Sequence, residues 1–266
     1  MKYCIANWKM NMSNEDGVVY LSEIGDRINE NNESFDSVSM IICPPYTALD
    51  LMSSILKNKS NESLLEDISL SCFQSVQLGA QNINPNKEGA FTGEISAEML
   101  KQFHIQWVIV GHSERRLLFK ESNNFINLKI KSALKHNINP ILCIGETLEE
   151  RDSGKTKEVL YRQLKEGLVQ VSSASDFLIA YEPVWAIGTG KTADNKMIKD
   201  ANDIILNAIQ DLKYDIKSPK ILYGGSVNNN NAKNLSEICN LDGFLIGGAS
   251  LDAKQFYSIY NALKGE

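Results

Sequence analysis

The chain is short of the residues that build metal centres and disulfide frameworks. Its three histidines, His104, His112 and His136, are dispersed along 266 residues and form no cluster with metal-ligand spacing. The five cysteines, Cys4, Cys43, Cys72, Cys143 and Cys239, are odd in number and never occur as Cys-x-x-Cys. They sit in apolar or strand-like contexts and read as reduced, partly buried thiols. No apolar run approaches the ~20 residues of a membrane span. The first nine residues lack the apolar stretch and small-residue cleavage site of a signal peptide. Basic residues are outnumbered, 27 Lys and Arg against 33 Asp and Glu, giving a net charge of −6 and a pI near 5.3. That balance argues against a nucleic-acid or anionic-membrane surface, which needs a basic patch, but leaves room for a small anion site. What remains is a soluble, cytoplasmic protein. With 43% hydrophobic and 23% charged residues it matches an ordinary globular composition and neither a disordered nor a fibrous one.

Short apolar, β-rich runs recur at near-even intervals: Lys2–Asn7, Val38–Cys43, Val76–Ala80, Trp107–Val110, 140–144, 177–181, Lys220–Tyr223 and Gly243–Ile246. Most are apolar throughout instead of alternating, the pattern of strands buried on both faces of a parallel sheet. Amphipathic segments separate them. Ile198, Ala201, Ile205, Ala208 and Leu212 mark one helical face; Ile126, Ile130 and Leu134, and Leu160, Leu164 and Leu168, mark two more. Asp194 and Asn195 suit the start of the first, and Asn124 the start of the second. Eight such strand–helix repeats in this length predict a single (β/α)8 TIM barrel over residues 1–266, with a parallel eight-stranded barrel and outer helices. The competitor, a doubly wound open sheet, usually has fewer strands, and no Gly-x-Gly-x-x-Gly turn follows the first strand here. The polar segment 57–67 reads as a solvated excursion after the second helix.

In a parallel barrel the reactive groups project from the carboxyl ends of the strands. Those ends carry Asn7 and Lys9, then Gly111-His112-Ser113-Glu114, then Glu182, then Gly224-Gly225-Ser226, and finally Gly247-Gly248-Ala249-Ser250. Glycine pairs let backbone N–H groups approach an anion closely, and Gly248 can open a short helix whose N-terminus attracts phosphate. Taken singly, each group has a plainer reading: Lys9 as a surface lysine, Glu182 as a strand-ending carboxylate, His112 as a core histidine, each Gly-Gly as a tight turn. Their coincidence at corresponding strand ends favours a functional rim. His104 and His136 read as structural or exposed.

Several long motifs, in order along nearly the whole chain, resemble the triosephosphate isomerase family. They include Asn7-Trp8-Lys9-Met10-Asn11, Gly89-Ala90-Phe91-Thr92-Gly93-Glu94-Ile95-Ser96 and Gly111-His112-Ser113-Glu114-Arg115-Arg116. Further along come Cys143-Ile144-Gly145-Glu146, the run from Ala180 through Glu182-Pro183-Val184-Trp185 to Lys191, Tyr223-Gly224-Gly225-Ser226-Val227 and Gly247-Gly248-Ala249-Ser250. The resemblance implies triose phosphate as substrate and a proton shift through an enediolate. It implies Glu182 as general base, His112 and Lys9 as oxyanion stabilisers, and Asn7 as a further polar contact. The phosphate would rest on backbone N–H groups near Gly188, Ser226, Gly247 and Gly248. Ser113, Glu114 and Cys143 would support the site, with Glu114 orienting or balancing Lys9 or the loop. Residues 183–191 resemble a closing lid with an apolar tip, which keeps a reactive intermediate from water. The resemblance also implies a homodimer in which residues 81–93 reach the neighbouring site through Asn82 and Thr92, and no cofactor or metal. Lys120 stands where the family usually carries Gly, and 57–67 is longer than usual.

Three rivals are weighed against this. A barrel kept only for binding would have lost Glu182, His112 or Lys9, and all three are present. A Schiff-base aldolase needs a lysine on an inner strand, and no strand core offers one. A metal-dependent isomerase needs clustered histidines and carboxylates, which three scattered histidines do not supply.

Overall fold

A computed structural model describes residues 1–31, 37–57, 76–173, 177–187, 192–216 and 219–265. Eight parallel strands close into a barrel: β1 Lys2–Asn7, β2 Val38–Cys43, β3 Val76–Ala80, β4 Trp107–Val110, β5 Asn139–Ile144, β6 Leu178–Tyr181, β7 Lys220–Tyr223 and β8 Gly243–Ile246. Each strand pairs with its neighbours in chain order, and β1 closes the ring against β8 and β2. The fifth strand starts one residue before the expected 140–144, because Asn139 takes up the register opposite Trp107. The sixth starts one residue late, at Leu178. A two-residue pair, Ser172–Ser173 with Asp215–Ile216, lies outside the barrel.

The uniform hydrophobicity of the strands follows from two apolar surroundings. Alternate side chains, among them Tyr3, Ile5, Ile41, Trp107, Ile109, Ile141, Leu178 and Leu245, fill the barrel interior. The intervening ones pack outward against the helices, where Ile198, Ala201, Ile205 and Ala208 present the expected face. Cys4, Cys43 and Cys143 are buried strand residues, whereas Cys239 is exposed in a turn and not strand-like. Cys72 and residues 58–67 of the polar segment lie outside the described residues. His104 is exposed and His136 is half-buried, bonded through Nδ1 to the Ser132 carbonyl.

Helix caps were legible only in part. Asp194 caps the helix Asn195–Asp211 by accepting from the Met197 N–H at 2.7 Å. The helix Asn123–Lys135 is capped by Ser122, whose hydroxyl accepts from the Phe125 N–H, and not by Asn124, which is already inside the first turn. Because an N-cap side chain is worth ~1 kcal/mol, Ser122→Ala is expected to lower unfolding stability by about that amount. Asn124→Ala should stay within ~0.5 kcal/mol of the parent, as exposed positions without special contacts do. Urea unfolding of the two variants checks the assignment; equal losses would contradict it.

Candidate active site

The carboxyl end of the barrel gathers the expected residues around a cavity of about 240 Å3 lined by Asn7, Lys9, His112, Glu182, Ser226 and Gly247, among others. Glu182 directly follows β6 and is 1% exposed. Its backbone N–H donates to the Ile144 carbonyl at 2.7 Å. Two glycines make this placement possible. A Cβ at Gly145 would fall 1.8 Å from the Glu182 carbonyl oxygen, and one at Gly224 would fall 2.8 Å from its Cγ.

His112 ends the β4 turn and caps the helix Ser113–Leu118. Its Nδ1 accepts from the Glu114 N–H at 3.2 Å. A ring nitrogen that accepts carries no proton, so this arrangement leaves Nε2 to bear the ring hydrogen. Nε2 lies 3.2 Å from Glu182 Oε1. The other carboxylate oxygen, Oε2, accepts from the Ser113 N–H at 2.9 Å. Ser113 therefore supports Glu182 through its backbone. Cys143 is fully buried beside Glu182, and burial raises its thiol pKa well above the usual range, with Glu182 adding to the effect.

Lys9 adopts a left-handed backbone, φ 53°, a conformation costing roughly 1–2 kcal/mol for a residue with a side chain. Three contacts hold it there. The Lys9 N–H donates to Asn7 Oδ1 at 3.1 Å, Gln81 Nε2 donates to the Lys9 carbonyl at 2.8 Å, and Lys9 Nζ meets Glu114 Oε1 at 2.6 Å. Of the two partners expected for Glu114, the structure sets it against Lys9. Ser226, Gly247 and Gly248 line the same cavity, with Gly247 against the Lys9 side chain, and Gly248–Leu251 forms a short 3-10 turn. Gly188 lies outside the described residues, as do Gly190 and Lys191.

Asn82 is buried and turned inward: its Oδ1 accepts from Lys129 Nζ at 2.7 Å, and its carbonyl from the Tyr46 hydroxyl. Thr92 is exposed at the tip of the same loop. Just after Glu182, Val184–Ala186 forms a 3-10 turn. The Trp185 indole N–H, the Tyr181 hydroxyl and Arg151 all converge on Oε1 of buried Glu146. The Cys143–Glu146 motif is the sequence signal for Glu146, whose partners the sequence does not show. Gln81 enters the sequence reading only as the first residue of the 81–93 loop, whereas here it bonds the Lys9 and Cys43 carbonyls.

A closed (β/α)8 barrel with a carboxylate and an imidazole in contact at its carboxyl rim, facing a lysine and glycine-rich turns, belongs to the class of barrel enzymes that move protons on small anionic substrates. The triosephosphate isomerase family model matches residues 2–263. A triosephosphate isomerase of Fusobacterium nucleatum is 42% identical over 260 residues, 96% of each chain. One from Borreliella burgdorferi is 42% identical over 264 residues, 97% of each chain. One from Clostridium tetani is 38% identical over 259 residues, 96% of this chain and 94% of the relative. The chain belongs to the triosephosphate isomerase family.

The tight fit at Gly224 yields a test. In Gly224→Ala the new methyl displaces the Glu182 side chain, and a misplacement of about 1 Å can cost ~10²-fold in rate. Isomerase kcat/KM is expected to fall by that order while the melting temperature changes by only a few degrees. An unchanged rate would mean that Glu182 tolerates the shift.

Proposed function

We propose that Glu182 is the general base of the isomerase reaction in this chain. His112 and Lys9 stabilise the oxyanion, Asn7 adds a polar contact, and the backbone at Ser226, Gly247, Gly248 and Gly188 receives the phosphate. The reaction is the interconversion of dihydroxyacetone phosphate and D-glyceraldehyde 3-phosphate, a step common to glycolysis and gluconeogenesis. The observation that carries the division of roles is the contact between His112 Nε2 and Glu182 Oε1 at 3.2 Å, at the edge of a cavity that Lys9 also lines.

The chemistry follows from these positions. A C–H beside a carbonyl is a weak acid, so a base alone does not suffice. Glu182 removes the proton from one carbon and returns it to the next, a contribution of ~10²–10⁴-fold. As it does so, charge builds on the carbonyl oxygen, where the Nε2–H of His112 and the Lys9 ammonium donate. Each such preorganised donor is worth ~3–4 kcal/mol. A neutral imidazole suits the task because it gives and regains a proton between two oxygens. The lid over residues 183–191, whose described part packs Trp185 near Glu146, would close on bound substrate and exclude water.

The single domain 1–266 acts, in this reading, as a cytoplasmic homodimer. Among the described residues no helix is long and apolar enough to cross a membrane. Beside Lys9 lies a second cavity, about 200 Å3, lined by Gln81, Asn82, Glu114 and Phe119. Exposed Met10, Phe91 and Phe119 are apolar surface that a second copy would cover, its Thr92 loop reaching toward Asn7 and Lys9. With Asn82 turned inward, Thr92 is the contact that reaches outward.

Purified protein without added metal or cofactor is expected to isomerise glyceraldehyde 3-phosphate with kcat/KM near ~10⁸–10⁹ M⁻¹s⁻¹. Glu182→Gln should lose at least ~10²-fold in kcat. A folded but inactive wild type would return the chain to the binding-barrel reading. Sedimentation at micromolar concentration should show a dimer, and an active monomer there would refute the shared site.

A further inference from the structure

Arg116 has no part in the chemistry above, yet its side chain joins the two halves of the acid–base pair. Its Nε donates to the Gly111 carbonyl at 2.7 Å, Nη1 to Asn123 Oδ1 at 2.6 Å, and Nη2 to the Cys143 carbonyl at 2.9 Å. Gly111 is the residue before His112. Cys143 is the residue before Ile144, whose carbonyl accepts the Glu182 N–H. Arg116 itself sits in the short helix that His112 caps, with its N–H on the His112 carbonyl at 3.1 Å. One guanidinium thus connects the backbone that carries the imidazole to the backbone that anchors the carboxylate.

The choice of partners is informative. All three acceptors are neutral, and among the described residues no carboxylate lies within ion-pair distance of Arg116. Desolvation pushes its pKa down, and the negative fields of Glu182 and Glu121 only oppose that. A cation placed for stability alone would take a carboxylate; burial without one is costly. A planar fork can hold three acceptors at fixed spacing, which a lysine ammonium does not do. Such placement serves geometry.

We propose that Arg116 is a positioning residue that sets the separation of His112 Nε2 and Glu182 Oε1 through the Gly111 and Cys143 carbonyls. It does not line the substrate cavity. The inference rests on the assignment of His112 and Glu182 as the reacting pair. Among the described residues no hydrogen bond joins Arg116 to the turns after β7 and β8 that would receive the phosphate, so rate and affinity should separate.

In Arg116→Lys, which keeps the charge and loses the fork, kcat is expected to fall ~10–100-fold, with KM and the inhibition constant of inorganic phosphate within about twofold of wild type. A folded variant with wild-type kcat overturns the proposal. So does a matching loss of phosphate inhibition, which would indicate general collapse of the rim. If Arg116→Lys does not fold, Asn123→Ala decides the matter. It removes one of the three acceptors at a half-buried position and should lower kcat by about 3–10-fold with KM unchanged; wild-type kcat there also overturns the proposal. Wild-type assays keep the two readings apart: an inactive wild type defeats the acid–base assignment, whereas an active wild type with indifferent variants defeats only the role of Arg116.

Discussion

Glu182 sits at the end of β6 with almost no access to water, and a carboxylate in that position is costly unless its oxygens find donors. Oε2 takes the Ser113 N–H, while Oε1 lies 3.2 Å from His112 Nε2 without a hydrogen bond to it. Much of the surrounding sequence answers to this requirement. Gly145 and Gly224 are small because Glu182 occupies the volume a side chain would take. Gln163 bonds both the N–H and the carbonyl of Gly145, fixing the strand end on which the Glu182 backbone hangs. The helix after β4 begins at Ser113, so its first N–H groups, which lack partners within the helix, point at Glu182 and at His112 Nδ1.

The Lys9 side of the rim obeys a different constraint. A left-handed lysine is a strained residue, and such strain persists only where the surroundings over-determine it. Here the surroundings combine a local contact, Asn7 in β1, with two from far along the chain, Gln81 after β3 and Glu114 in the helix after β4. Gln81 also bonds the Cys43 carbonyl, so the end of β2 and the Lys9 turn are held by one amide. The ammonium is therefore delivered to the pocket by backbone geometry and a single carboxylate, with little left to side-chain search.

The barrel was legible because its strands are apolar on both faces and its helices on one, and both patterns are local. Asn7, Lys9, His112, Glu182 and the last glycine turns were legible because strand ends are where a parallel barrel works. What escaped was whatever depends on partners far away in sequence. Ser122, Asn123 and Asn124 are three cap-competent residues in a row, and only packing of the helix decides that the hydroxyl of Ser122 takes the Phe125 N–H. Asn82 looks like an outward loop residue until Lys129, 47 positions later, is found buried against it. Glu146 reads as one acidic residue among many until Tyr181, Trp185 and Arg151 converge on it. Composition and periodicity carry no trace of such pairings.

Lys120 shows how far the reacting centre is insulated from its periphery. It takes φ 57°, a left-handed backbone where a glycine would sit without strain, at a cost of roughly 1–2 kcal/mol. The next residue, Glu121, is buried and bonded through one oxygen to both Arg115 and Lys129, and Lys129 in turn holds Asn82. That network fixes the chain on either side of the strained residue, so the strain is not relieved by moving the helix that carries His112. Arg116, next to Arg115, faces the opposite way, into Gly111 and Cys143. Two adjacent arginines thus divide the work: one ties the helix to the charged cluster under the exposed loop, the other ties it to the strands that carry the acid and the base.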